Sequence, residues 1–225
     1  MPDPIDLAPL IDHTVLRPEA TTAEVEKACA EARRYGFAGV CVRPANVALV
    51  ARLLAGSGAR PIAVVDFPRG ASQTAAKVDE ARSAIAAGAQ ELDMVVNFAA
   101  LQRGDYELVL RDIQAVVEVA RPRAVKAILE TGVLSREEKT IGAALAKAAG
   151  AAFVKTSTGF GPGGATALDV ALLRQIVGRD MGVKASGGIR TAADARRMVA
   201  AGANRLGTSA GVAIVTGDNP SPAQY

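Results

Sequence analysis

Two segments of this 225-residue chain carry lysines that ordinary packing does not account for. In Phe153-Val154-Lys155-Thr156-Ser157-Thr158-Gly159, Lys155 ends a short apolar run and precedes a loop rich in Gly, Ser and Thr. Gly182-Val183-Lys184-Ala185-Ser186-Gly187-Gly188 repeats the arrangement around Lys184. An ammonium is costly to bury in an apolar strand. At the C-terminal end of a strand in an α/β fold, it points instead into the mouth where substrates bind. Strand alternation with a period of two adds further candidates. Asp93, Val95 and Asn97 share one face, and Lys126, Ile128 and Glu130 share another. Taken singly, each lysine has a plain reading as a solvated or salt-bridged group, and Asp93 as its counterion. Ionisable residues on four successive strands weaken that reading, because barrel interiors are normally filled by branched aliphatics.

Paired lysines beside a carboxylate suggest amine catalysis. A lysine near its unperturbed pKa of roughly 10.4 is almost wholly protonated at neutral pH and cannot attack a carbonyl. Burial and a neighbouring ammonium both favour the neutral amine, which is how imine-forming lysines are activated. The protonated imine is then an electron sink, and Asp93 is placed to move protons directly or through water. A phosphate site completes the set. Gly187 and Gly188 follow the seventh predicted strand, and Gly207-Thr208-Ser209-Ala210-Gly211 follows the eighth. Barrels often hold phosphate between these two loops on backbone N–H groups. Thr158 and Gly159 add further hydroxyl and amide donors.

The elements that must position these residues are legible along the chain. Alternation, capping and turn residues predict strands at 12–16, 40–43, 61–65, 91–97, 125–130, 152–155, 181–185 and 204–207. Helices are expected between them, with Thr21, Ser135 and Thr191 as caps and a short last helix over 212–215. Three junctions repeat an Ala-Ala-Gly-Ala turn at Gly88, Gly150 and Gly202. Each puts glycine just past a helix end, where a left-handed residue is favoured. Eight strand–helix units without a composition break predict an α/β fold, a single-domain (β/α)8 TIM barrel over 1–216 with a flexible tail over 217–225. An open doubly wound sheet is the competitor, but the first strand lacks a Gly-x-Gly-x-x-Gly loop.

Half of the residues are hydrophobic and only 4% aromatic, so an aliphatic core is expected. The net charge of +3 is scattered, with no stripe for nucleic acid and no apolar run long enough for a membrane. The N-terminus has no secretory pattern, and Cys29 and Cys41 form no motif, which fits a reducing cytoplasm. Cys41 reads as a small core residue. His13, the sole histidine, either touches the substrate region or is structural. With so few histidines and cysteines, a zinc cluster is not expected.

At Asp12-His13-Thr14, Cys41, Glu91-Leu92-Asp93-Met94-Val95, the two lysine segments and Arg205-Leu206-Gly207-Thr208-Ser209, the chain resembles the deoxyribose-phosphate aldolases, a class I (Schiff-base) family. The resemblance covers nearly the whole chain. It implies reversible cleavage of 2-deoxy-D-ribose 5-phosphate to D-glyceraldehyde 3-phosphate and acetaldehyde, with no metal or organic cofactor. It also implies a homodimer or larger homo-oligomer. By position, Lys155 resembles the imine-forming lysine, Lys184 the lysine that depresses its pKa, and Asp93 the proton donor and acceptor. Asp12 and Lys126 match supporting polar residues, and Gly187, Gly188 and Ser209 the phosphate site. Some members use a C-terminal tyrosine, here Tyr225, and some carry a lysine where this chain has Phe160. Two rivals stand beside this reading. A thiamine-phosphate synthase-like barrel would use the Gly-rich loops but has no use for paired lysines. A sugar-phosphate binding protein would not need Asp93, Lys155 and Lys184 together.

Overall fold

The computed structural model of the protein describes residues 5–218. Tyr225 and most of the expected tail lie outside the described residues. Eight parallel strands form a closed barrel: Ile11–Val15 (β1), Gly39–Val42 (β2), Arg60–Val65 (β3), Glu91–Val95 (β4), Ala124–Ile128 (β5), Phe153–Lys155 (β6), Gly182–Ser186 (β7) and Arg205–Thr208 (β8). Each strand pairs with the next, and β8 closes onto β1 with Asp12 opposite Gly207. The outer layer comprises Thr22–Tyr35 (α1), Val47–Leu54 (α2), Thr74–Ala86 (α3), Phe98–Gln102 (α4), Tyr106–Ala120 (α5), Arg136–Ala148 (α6), Ala167–Val177 (α7), Ala192–Ala200 (α8) and Gly211–Thr216 (α9). The fold is the expected (β/α)8 barrel.

Local chemistry sets the helix ends. Thr21 with Glu24, Ser135 with Glu138 and Thr191 with Asp194 form reciprocal capping boxes on α1, α6 and α8. Each satisfies backbone N–H groups that the first turn cannot. Gly88, Gly150 and Gly202 all take positive φ, at 107°, 83° and 113°. Beyond α3, the N–H groups of Gly88 and Ala89 reach back to the carbonyls of Ile85 and Ala84, so the chain turns directly into β4. The repeated Ala-Ala-Gly-Ala signal is therefore a helix stop with a physical basis.

Two expected strands end two residues earlier than their alternation suggested. β4 stops at Val95, and Asn97 instead caps α4, its side chain accepting from the Ala100 N–H at 2.9 Å. β5 stops at Ile128, and Glu130 turns into the left-handed region at φ 59°. Neither Asn97 nor Glu130 thus continues the interior face of its strand. Asparagine's preference for capping outweighs the strand pattern in the first case.

Alternation divides the buried residues into two environments. Val40, Val42, Leu92, Met94, Val125, Val154, Val183 and Leu206 face outward and join the continuous apolar layer beneath the helices. Inside the barrel, Leu16, Cys41, Ile62 and Val64 form a separate apolar cluster, against which Phe67 packs. The opposite interior wall, running from β4 through β8 to Asp12 on β1, is ionic.

Candidate active site

Lys155 and Lys184 stand opposite each other in the β6–β7 register, and Asp93 faces Lys126 in the β4–β5 register. All four side chains point inward and are essentially inaccessible to solvent. Asp93 is the hub. Its Oδ2 accepts from Lys155 Nζ at 2.8 Å and from Lys184 Nζ at 2.7 Å, while its Oδ1 accepts from Lys126 Nζ at 2.9 Å. Asp12, on β1, accepts from Lys184 Nζ at 2.5 Å and lies 3.8 Å from Lys126 Nζ. The structure brings Asp12, Asp93, Lys126, Lys155 and Lys184 together in one cavity.

The electrostatics follow from charge count and burial. Burial raises the Asp93 carboxyl, but Lys126, Lys155 and Lys184 outweigh it and hold the group well below the usual carboxylate range. Asp12 is lowered in the same way, with burial opposed by Lys184, Lys126 and Arg205. For Lys184, burial favours the neutral amine, yet Asp12 and Asp93 prevail and hold it protonated. Lys126 is likewise held protonated, since Asp93 and Asp12 overcome its burial. Lys155 goes the other way. Burial disfavours its ammonium, Lys184 repels it, and Asp93 only partly compensates, so its pKa is lowered. Three carboxylates (Asp12, Glu91, Asp93) face four cations (Lys126, Lys155, Lys184, Arg205) inside the barrel. Releasing one proton balances the set, and Lys155 has the fewest partners to hold it.

Cys41 lies in the same interior, its Sγ 3.9 Å from Asp93 Oδ2. Burial and Asp93 push its thiol up to about 11, so it is a neutral wall residue, as the sequence suggested. His13, one residue from Asp12, faces outward. Its Nε2 meets Glu31 at 2.8 Å, and its ring tilts against Phe37 beneath α9. Of its two readings, the structural one holds.

The glycine-rich loops gather at the C-terminal end of the barrel. Gly187 and Gly188 take left-handed φ of 91° and 77°, beyond the end of β7. Thr208 Oγ1 donates to the Ile189 carbonyl at 2.7 Å and accepts from the Ala210 N–H, tying the β7 and β8 loops together around Ser209. Gly207, expected both as the end of the eighth strand and as the start of its phosphate loop, lies inside β8. A Cβ there would stand 3.0 Å from Lys184 Cε and 2.9 Å from Ser186 Cβ. Its place in the fold is therefore to make room for Lys184. Thr158 has both its N–H and hydroxyl directed at Glu130 Oε2, so Glu130 anchors the loop that carries Gly159.

Two features of the site escaped the sequence reading. Phe67 from the β3 loop and Phe160 from the β6 loop meet edge to face at 5.2 Å, with the Arg43 guanidinium beside both rings. β3 and β6 are three strands apart in the barrel, so this contact crosses the mouth. Beneath the lysines, Glu91 and Arg205 extend the ionic network toward the N-terminal end. Counting back two residues from Asp93 and from Gly207 would have found both.

Comparison with known proteins gives the family. The family model for DeoC/LacD family aldolases matches residues 7–216. A deoxyribose-phosphate aldolase from Clostridium perfringens (strain SM101 / Type A) is 52% identical over 216 residues, spanning 96% of each chain. One from Thermococcus gammatolerans is 54% identical over 217 residues, covering 95% of this chain and 96% of the relative. Among solved structures, the tetrameric deoxyribose phosphate aldolase from Aeropyrum pernix superposes with a TM-score of 0.88 at 35% identity, covering 93% of this chain and 89% of that one. With the family match extending from β1 through β8 and about half of all residues shared with the Clostridium and Thermococcus relatives, the chain belongs to the DeoC/LacD family of aldolases.

Proposed function

We propose that the protein reversibly cleaves 2-deoxy-D-ribose 5-phosphate to D-glyceraldehyde 3-phosphate and acetaldehyde through an imine on Lys155. The observation that carries this reading is the unbalanced ionic cavity, in which one buried amine of four cations lacks a carboxylate of its own. The neutral Lys155 amine attacks the substrate's aldehyde carbon, and loss of water gives a protonated imine. That imine draws electrons from the carbon–carbon bond β to it as a proton leaves the sugar's adjacent hydroxyl. Glyceraldehyde 3-phosphate departs, and the remaining enamine takes a proton at carbon. Water then releases acetaldehyde and restores the amine. Asp93, 2.8 Å from Lys155 Nζ, is the group placed to accept and return protons. Lys184 keeps the cavity positive, which favours the neutral form of Lys155 between turnovers.

Gly187, Gly188 and Ser209 hold the phosphate at the tied β7 and β8 loops, with Gly159 and Thr158 on the neighbouring rim. The chemistry calls on no cofactor. The names of the relatives support the substrate, and the Aeropyrum pernix tetramer supports self-association, to be checked by light scattering. No helix among the described residues is long and apolar enough to cross a membrane, and a cytoplasmic setting is part of the same proposal.

Borohydride reduction in the presence of acetaldehyde, followed by peptide mass spectrometry, tests the reading. A reduced two-carbon adduct is expected on Lys155. An adduct confined to Lys184, or none, overturns the assignment.

A further inference from the structure

The ionic network continues past the residues assigned to chemistry. Glu91, the first residue of β4, is 3% exposed and lies two residues below Asp93 on the same face. Its Oε2 is 2.5 Å from Lys126 Nζ and 3.1 Å from Arg205 Nη1, while Oε1 accepts from Arg60 at 3.0 Å. Arg205, the first residue of β8, donates from the same Nη1 to Asp12 Oδ1 at 2.8 Å. Its guanidinium and the Lys126 ammonium both lie over the Phe153 ring, at 5.2 and 5.8 Å. Gly182 leaves space for that ring, because a Cβ there would fall 2.1 Å from Phe153 Cδ1. Glu91 and Arg205 therefore lie one layer below the lysines, next to the groups that hold Asp93 and Lys184 in place.

We propose that Glu91 and Arg205 are positioning residues for the aldol reaction, fixing Lys126 and Asp12 and thereby the charge that Lys155 experiences. The proposal rests on the imine reading above. Neither residue reaches the reacting atoms. Glu91 holds Lys126, which bonds Asp93, and Arg205 holds Asp12, which bonds Lys184. Asp93 and Lys184, with Cys41 from β2, are the groups that face Lys155. Each end of the network thus reaches Lys155 through two intermediaries, Lys126 and Asp93 from Glu91, and Asp12 and Lys184 from Arg205.

The two residues carry opposite charges, which gives them opposite signatures. Glu91→Gln removes a carboxylate, leaving the cavity more positive, so Lys155 loses its proton more readily. The acidic limb of kcat/KM, which reports the free enzyme, moves to lower pH. Arg205→Gln removes a cation and frees Asp12 to neutralise Lys184, so the limb moves to higher pH. Shifts of about half a unit in each direction are expected for charges acting across one layer, with a loss in kcat of about tenfold. Glu91→Asp and Arg205→Lys keep the charge and return the limb toward the native position. A purely structural role would cost activity without moving the limbs apart.

The experiment measures pH profiles of kcat/KM for the four variants, with borohydride trapping and a melting curve on each. Oppositely directed limbs with intact trapping on Lys155 support the proposal. Limbs that stay put or move together in folded variants overturn it. If a Gln variant does not fold, the Met variant at the same position, which removes the same charge while filling a similar volume, takes its place, and the same two outcomes decide. Absence of a Lys155 adduct in the native protein would instead overturn the imine reading on which the proposal rests.

Discussion

Among the described residues, lysine is fully buried against aspartate in two places, with different consequences. Outside the barrel, Lys77 on α3 is completely buried and bonds Asp112 of α5 at 2.8 Å and the Gly70 carbonyl at 2.9 Å. Asp66 lies a further 3.5 Å away, and Asp112 also accepts from Thr74. One cation meets two carboxylates, and each polar atom there has a clear partner. Inside the barrel, Lys155 is buried almost as deeply, but it shares Asp93 with two other ammoniums. Burial is common to both lysines, so the number of carboxylates per cation is what separates them. A buried amine with surplus carboxylate is a brace between helices. A buried amine competing for one carboxylate is available for chemistry.

That contrast is broken most directly by exchanging both lysines for apolar residues of similar length. Lys155→Leu removes the attacking amine, and turnover is expected to fall by on the order of 10^4-fold or more. Its melting temperature is expected to hold or rise, because the substitution removes the surplus cation and leaves no carboxylate orphaned. Steady-state assays with a thermal melt check both halves. A strongly destabilised Lys155→Leu protein would mean that Lys155 is as much a brace as Lys77.

Lys77→Met should show the reverse. It leaves Asp112 buried beside Thr74 without its cation, which costs about 3–5 kcal/mol of folding stability. Denaturant unfolding would measure that loss, and activity per folded molecule is expected to remain. Retained stability would show that the α3–α5 pair contributes little, and the contrast between the clusters would fail.

The sequence made one of these clusters easier to see than the other. Lys155 and Lys184 were conspicuous because a strand that otherwise alternates with aliphatics has no packing reason to hold an ammonium. Lys77 sits in an Ala-rich helix, where lysine is ordinary, and its partner Asp112 is 35 residues away. Helical spacing alone cannot tell a buried face from a wet one when alanine occupies both. The barrel was legible because eight strand–helix units alternate without a break and three of their junctions share an Ala-Ala-Gly-Ala stop. The ends of β4 and β5 were not, since Asn97 and Glu130 continue the period-two pattern until capping and a left-handed turn interrupt it. Glu91 and Arg205 were given no role, because nothing in the sequence joins residues 114 positions apart.

Lys184→Leu sharpens the comparison by altering the charge ratio without removing the attacking amine. Without this ammonium, Asp93 is shared by two lysines in place of three, and Asp12 loses its shortest contact. Both changes stabilise the protonated form of Lys155. A lysine whose pKa rises needs a higher pH to reach its reactive form, so the acidic limb of kcat/KM moves upward by about one unit. An unmoved limb in a folded variant would mean that Lys184 acts on substrate and not on Lys155.

The smallest expected effect separates burial from charge count as the cause of the lowered Lys155 pKa. Phe160 is 37% exposed and packs edge to face on Phe67, which itself covers the apolar interior cluster. Phe160→Ala opens the mouth to water and leaves every charge in place. The lost aromatic contact costs about 1 kcal/mol of stability. Partial rehydration of Lys155 raises the acidic limb by a few tenths of a unit, well short of the Lys184→Leu shift. Since burial also acts on Lys184 and Lys126, whose ammoniums nonetheless persist, charge count must supply the difference between them and Lys155. Measured side by side, a Phe160→Ala limb displaced as far as that of Lys184→Leu would reverse this ranking, making water exclusion at the mouth the principal means of activation.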